Sequence, residues 1–367
     1  MSTRLIGLAA TAVALALLVA PTPGGGVAAA GGRRARHGAR VEAPARLSET
    51  GLYAPGGTTT IDPRNLSFSP QYPLWSDGAA KARWIQLPPG ATIDTRVADQ
   101  WQLPVGTKLW KQFSLDGRKV ETRFLWRAAR DQWVFASYAW DAAQSDALRV
   151  PEGGLRDVAP LPGGKHHSIP GTDDCRACHE AGPSVVLGFN ALQLSDDRDP
   201  LAPHAEPLAP GMLTVRSLSQ AGRLSPARPE WVATPPRIQA SSPTERAALG
   251  YLAGNCGGCH NARGALAHLG LVFAPDLALA PGGVEPALAT ALDAAGRFVV
   301  PGLSPDSSRV VAPGAPERSA LYYRMRSRHA VSQMPPLGTV LPDEAALTLV
   351  AAWIAEKSPT APVTPTR

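Results

Sequence analysis

The 367 residues are 44% apolar and 18% charged, which excludes a disordered or fibrous chain and leaves room for two or three compact units. With 37 Pro and 35 Gly, long irregular connections are favoured over a dense helical or doubly wound fold. The net charge of +6 does not mark a nucleic-acid surface: residues 1–40 hold five Arg and no acid, leaving 31 basic against 30 acidic residues in the remainder.

Residues 1–30 read as a signal peptide, with Arg4, an apolar run over 5–20 and an A-x-A pattern at Ala28-Ala29-Ala30. The alternative is an uncleaved anchor, since Arg33, Arg34, Arg36 and Arg40 follow the run. Sixteen apolar residues are short for a membrane span, and the small-residue site favours cleavage, so no stable membrane insertion is expected afterwards. No Cys follows the run to carry a lipid.

A β-rich domain is expected over 48–160. Trp75, Trp84, Trp101, Trp110, Trp126, Trp133 and Trp140 concentrate there. The runs 107–115 and 119–127 are joined by Asp116-Gly117, a dipeptide suited to a tight hairpin with positive φ. Val120, Thr122, Phe124 and Trp126 alternate with polar residues, and Val134, Ala136, Tyr138 and Trp140 repeat the period. These runs predict an antiparallel, sandwich-like sheet. Aromatic residues on such a sheet could bind a planar ligand, but core packing is the simpler use.

Residues 161–241 are rich in Pro and Gly, with one helix expected over 213–221. At Ser242-Pro243-Thr244-Glu245 the texture changes: Ser is placed as N-cap, Pro in the first helical position, and Glu to complete a capping box. The helix would run through Leu249 and Leu252 into Cys256. Two more helices are expected over 316–326 and 343–357, the latter with Leu347, Val350 and Ile354 on one face and Trp353 beside them. The expected fold is thus a multidomain α+β chain, with an all-α unit over 242–360.

All four cysteines lie in two motifs, Cys175-Arg176-Ala177-Cys178-His179 and Cys256-Gly257-Gly258-Cys259-His260. C-x-x-C-H is the attachment signature of c-type haem. Two thiols on one helical turn can each add to a haem vinyl group, while the adjacent imidazole becomes the iron ligand. A four-Cys zinc site or two disulfides would leave both histidines unused. Two covalently bound haems are therefore expected, held by Cys175, Cys178, Cys256 and Cys259, with His179 and His260 on iron. Met334, in Met334-Pro335-Pro336-Leu337-Gly338, lies in a loop between two helices and is the expected distal ligand of the second haem; Met325, within a helix pattern, reads as packing. For the first haem the candidates are Met212, His204, His166, His167 or an open position, with Met212 preferred.

Residues 242–357 resemble a class I cytochrome c domain, through the capped helix into C-x-x-C-H, the run Pro313-Gly314-Ala315-Pro316-Glu317-Arg318-Ser319, the Met-Pro-Pro loop and a closing helix with an aromatic. The resemblance implies that the first and last helices cross near Gly250, Tyr251 and Trp353, with an insertion over 280–305. More of the chain is similar to bacterial dihaem c-type cytochromes with a β-rich N-terminal region. Pro73-Leu74-Trp75-Ser76-Asp77-Gly78, Leu103-Pro104-Val105-Gly106-Thr107, Val120-Glu121-Thr122-Arg123 and the run 169–179 carry that likeness, which brings no established reaction with it.

The expected function is periplasmic electron transfer between two haems and redox partner proteins. A dihaem peroxidase, with a catalytic first haem, is the alternative; its two-cytochrome layout fits poorly with the long β region. A third reading makes the aromatic sheet a ligand-binding module served by the haem region.

Overall fold

A computed structural model describes residues 41–358; the signal expected at 1–30 lies outside them. Alternating side chains from 66 onward produce β1 (Leu66–Ser67), β2 (Ala80–Gln86), β3 (Ile93–Asp94), β4 (Lys108–Leu115), β5 (Arg118–Ala129), β6 (Gln132–Trp140) and β7 (Ala147–Arg149). Six of them form an antiparallel sheet in the order β1-β2-β4-β5-β6-β7. The β4–β5 hairpin turns at Asp116 and Gly117, both at positive φ (47° and 76°), as that dipeptide predicts. A second hairpin pairs β8 (Leu155–Leu161) with β9 (Lys165–Ile169).

The chain continues through α1 (Thr172–His179), α2 (Val215–Gln220), β10 (Leu224–Ser225), α3 (Glu230–Ala233), α4 (Pro243–Asn255), α5 (Pro286–Ala291), α6 (Ala320–Arg326) and α7 (Glu344–Glu356). The caps follow the sequence in part. Ser242 Oγ accepts from Glu245 N at 3.0 Å, and Asp343 caps α7 through Ala346 N at 3.1 Å. The Glu245 carboxylate, however, turns away from the box. It accepts from Ser241 N, from Trp353 Nε1 at 3.1 Å and from Lys357, so it ties α4 to α7.

The β-sandwich is corrected to one large six-stranded sheet with two separate two-stranded pairs, β3-β10 and β8-β9. On one face Trp110, Phe124, Val134 and Tyr138 pack under the segment carrying Leu47, Leu52 and Tyr53. Trp110 and Phe124 are each 1% exposed, worth about 1.5–3 kcal/mol apiece. On the other face Ile85, Leu109, Leu125 and Phe135 are covered by Trp101, Val186, Phe189, Leu194 and Leu218. The second layer is therefore the turn-rich segment after α1 together with Trp101 from the β3–β4 connection.

The all-α C-terminal unit is also corrected. Helix and strand occupy nearly equal shares, 22% and 20%, so the fold is mixed α/β. Residues 256–285 and 292–315 are mostly turns, as their Gly and Pro content dictates. The core that α4 and α7 share also takes in Tyr72, Leu192 and Ile238 from upstream. Gly250, expected at a crossing of the first and last helices, instead meets Tyr72: a Cβ there would lie 2.0 Å from the ring. The described residues belong to one compact unit beginning at Val41.

Candidate functional site

In the first motif Cys175, Cys178 and His179 all fall within α1, whose start is fixed by Asp174 Oδ2 accepting from Gly171 N at 3.1 Å. Cys175 is 7% exposed and lies against β6, 3.9 Å from Ser137 Oγ. The His179 imidazole packs on Phe135, centroids 5.6 Å apart, and its Nδ1 bonds the Val185 carbonyl at 2.7 Å. A carbonyl can only accept, so Nδ1 carries the proton and Nε2 keeps its lone pair. Burial pushes the His179 pKa down to about 4; the Val185 bond opposes this, and the Arg123 and Lys111 charges add to it.

The second motif follows α4 directly. Cys256 is its C-cap, and Cys259 and His260 sit on the next turn through Cys259 N and His260 N to Cys256 O, at 3.1 and 2.8 Å. The His260 ring meets Phe273 edge-on with centroids 5.6 Å apart. Its Nδ1 is buried without a hydrogen-bond partner. Burial, then Cys259, pushes the Cys256 thiol up to about 12. All four cysteines are free thiols, and among the described residues no group of three or more His, Cys, Asp or Glu side chains converges to hold a metal ion.

The two motifs are neighbours. Ala265 N donates to Ala181 O at 3.2 Å, and a Cβ on Gly264 would lie 2.1 Å from that oxygen, so only glycine permits the approach. A Cβ on Gly182 would lie 3.1 Å from Gly258 O. The Cys178 thiol is raised by burial first and by Cys259 second. Asn261, 5% exposed, holds the second turn: its Oδ1 accepts from Arg263 N and Gly264 N, and its Nδ2 donates to Gly258 O at 3.0 Å. Its amide, one residue past the motif, was not singled out from the sequence.

Met334 is half-buried, and its N–H donates to Arg324 O at 2.9 Å; the Arg324 charge is the one that, after burial, lowers His260. The loop after Met334 is held by Asp77, 7% exposed, whose carboxylate accepts from Thr339 Oγ1, Val340 N and Leu341 N. Trp75 Nε1 donates to Leu341 O at 3.0 Å, and Trp75 N to Asn255 Oδ1 at 2.7 Å. The 73–78 phrase is thus a clamp on the Met334 loop and the end of α4. Met325 is 7% exposed in the core, as expected.

The other candidate histidines each have a partner among the described residues. His204 Nε2 bonds Asp343 Oδ1 at 2.8 Å and its ring lies 4.8 Å from Trp75, which puts it beside α7. His167, 5% exposed, bonds Glu121 at 3.0 Å, and His166 lies on the surface 3.9 Å from Asp157. Met212 is half-buried in a turn closed on Ala209 O, and its thioether makes no hydrogen bond among the described residues. Trp101, Trp110 and Trp353 are buried, and the other six Trp are half-buried.

Comparison with protein-family models, with curated proteins and with solved structures finds no match.

Proposed function

We propose that this chain is a periplasmic dihaem c-type cytochrome that passes electrons between two covalently bound haems and redox partner proteins. The observation that carries the reading is the juxtaposition of two C-x-x-C-H turns, closed by the Ala265–Ala181 hydrogen bond and the Gly264 approach. The donor sets fit the group: in each motif two free thiols flank one short turn next to an imidazole. His179 fits further, because the Val185 bond at Nδ1 leaves Nε2 for iron and fixes the ring.

When bound, each haem supplies a reversible one-electron iron couple. The chain does the rest: Cys175 and Cys178, and Cys256 and Cys259, anchor the macrocycles; Phe135 and Phe273 orient the imidazoles; Met334 is the distal ligand proposed at the second haem. Mass spectrometry and haem stain of protein purified from the periplasm are expected to show two covalent haems, falling to one in Cys175→Ala/Cys178→Ala. Electron paramagnetic resonance should then find both low-spin. A protein that matures without covalent haem overturns the proposal.

A second reading is peroxide reduction at the first haem: His167 and His204 each spend Nε2 on a carboxylate, which leaves His166, Met212 or an open position for its sixth site. Peroxide-dependent oxidation of a reduced cytochrome, together with one high-spin haem, would select it.

A further inference from the structure

A row of cations crosses the sheet toward the first motif. Arg83 on β2, Lys111 on β4 and Arg123 on β5 are direct cross-strand partners, and the next position in the row is Ser137 on β6. Ser137 Oγ is the atom that lies 3.9 Å from Cys175 sulfur. The adjacent row ends in Phe135, which packs on His179. Lys81, paired with Phe113 one step away on the same face, adds a fourth cation.

Like charges directly opposed across strands destabilise a sheet, and burial makes them costlier. Arg83 is 5% exposed; its Nη1 reaches Glu206 at 3.0 Å, but Nη2 is buried with no partner. Arg123 is paired with Glu121, a carboxylate it shares with His167. Lys81 donates to the Leu74 carbonyl at 2.9 Å. The Lys111 ammonium lies 4.8 Å from the Phe113 ring centroid and has no hydrogen bond or ion pair among the described residues. Four cations thus face three carboxylates, Glu206, Glu121 and Asp343, the last acting on Lys81. Burial and the charges of Arg83 and Arg123 push Lys111 well below the usual lysine range, as expected of an uncompensated group. Core packing alone does not account for the row, since apolar side chains of the same size would fill it without this cost.

We propose that Arg83, Lys111 and Arg123, flanked by Lys81, form an anion site for a carboxylate or phosphate group beside the first attachment motif. Two sources have this chemistry: the propionates of a haem bound at Cys175 and Cys178, which rests on the function proposed above, and a small free oxyanion. Guanidinium forks suit either, and the Lys111 ammonium supplies a point charge between them.

The haem count of the wild-type protein is taken first, because a chain lacking the first haem ends the propionate source without touching the free-anion one. Spectroelectrochemistry then compares wild type with Lys111→Met and Lys111→Arg. Propionate binding predicts a lower midpoint potential for the first haem in Lys111→Met, an unmoved second haem, and recovery in Lys111→Arg. In parallel, calorimetric titration with inorganic phosphate tests the free oxyanion: saturable binding that Lys111→Met weakens at least about tenfold, about 1.4 kcal/mol, supports it. An unchanged first potential together with no phosphate binding overturns the proposal. Thermal unfolding of both variants separates these outcomes from misfolding.

Discussion

The two C-x-x-C-H motifs share their chemistry and differ in almost everything around it. The first is a regular helix lying on a sheet, with His179 locked by Val185 and a row of cations alongside. The second is a turn at the end of a helix, with His260 Nδ1 buried and unbonded, and its surroundings built from loops tied down by Asn261 and Asp77. A hydrogen bond at Nδ1 raises the basicity of the other nitrogen, while methionine ligation raises potential. The difference teaches that equal attachment chemistry can carry unequal couples. With both haems attached as proposed, the Val185 bond to His179 would lower the first haem's potential, and the cations beside it would act in the opposite sense.

The largest expected effect comes from Met334→Ala. It removes the proposed distal ligand of the second haem only, so one of two low-spin signals becomes high-spin and the higher potential falls. Two unchanged low-spin signals would break the assignment of Met334 and leave the comparison resting on the imidazoles alone.

Gly264→Ala tests whether the motifs act together. The added Cβ meets Ala181 O at 2.1 Å, an overlap of backbone that no rotamer relieves. Overpacking of this kind costs about 1–3 kcal/mol. Urea unfolding should show that loss, and flash reduction should show slower equilibration between the haems with both potentials unmoved. Equilibration at the wild-type rate would mean that electrons do not use this contact.

Asp77→Asn probes the second site from a distance. The carboxylate accepts from two backbone N–H groups and one hydroxyl in the segment following Met334, and an amide oxygen replaces it poorly. Hydrogen bonds to a charged group contribute about 1.5–3 kcal/mol. The expected outcome is a modest loss of stability and a weakened methionine-to-iron band, with the first haem's spectrum unchanged.

What the sequence disclosed follows from the range of the forces involved. Strand alternation, the Asp116-Gly117 turn and the Ser242 cap are local, and each is present where the residues predict it. The six-stranded sheet, the cover supplied by Phe189 and Leu194, and the meeting of Tyr72 with Gly250 depend on residues far apart along the chain and left no periodic trace. The resemblance implies a helix crossing at Gly250, whereas the nearest neighbour there is the Tyr72 ring. Arg83, Lys111 and Arg123 read singly as outward-facing strand charges. Only the register, which pairs 83 with 111 and 111 with 123, makes them a row.

The smallest effect sharpens the charge of that row. Lys81 is pushed down to about 8, first by burial and then by Arg83; Glu206 and Asp343 oppose the shift and Arg123 adds to it. The unfolded chain keeps the ordinary value near 10.5, so between pH 8 and 10.5 it holds a proton that the folded chain has released. Stability therefore rises with pH across that window through this group and is flat below it. Lys81→Met should abolish this part of the slope, measured as the difference in urea midpoint between variant and parent at pH 7, 8, 9 and 10. A carboxylate bound in the row would pull Lys81 back toward its usual range. The slope should then be smaller in the wild type than in Cys175→Ala/Cys178→Ala, and equal slopes would show that nothing anionic attached at the first motif reaches Lys81.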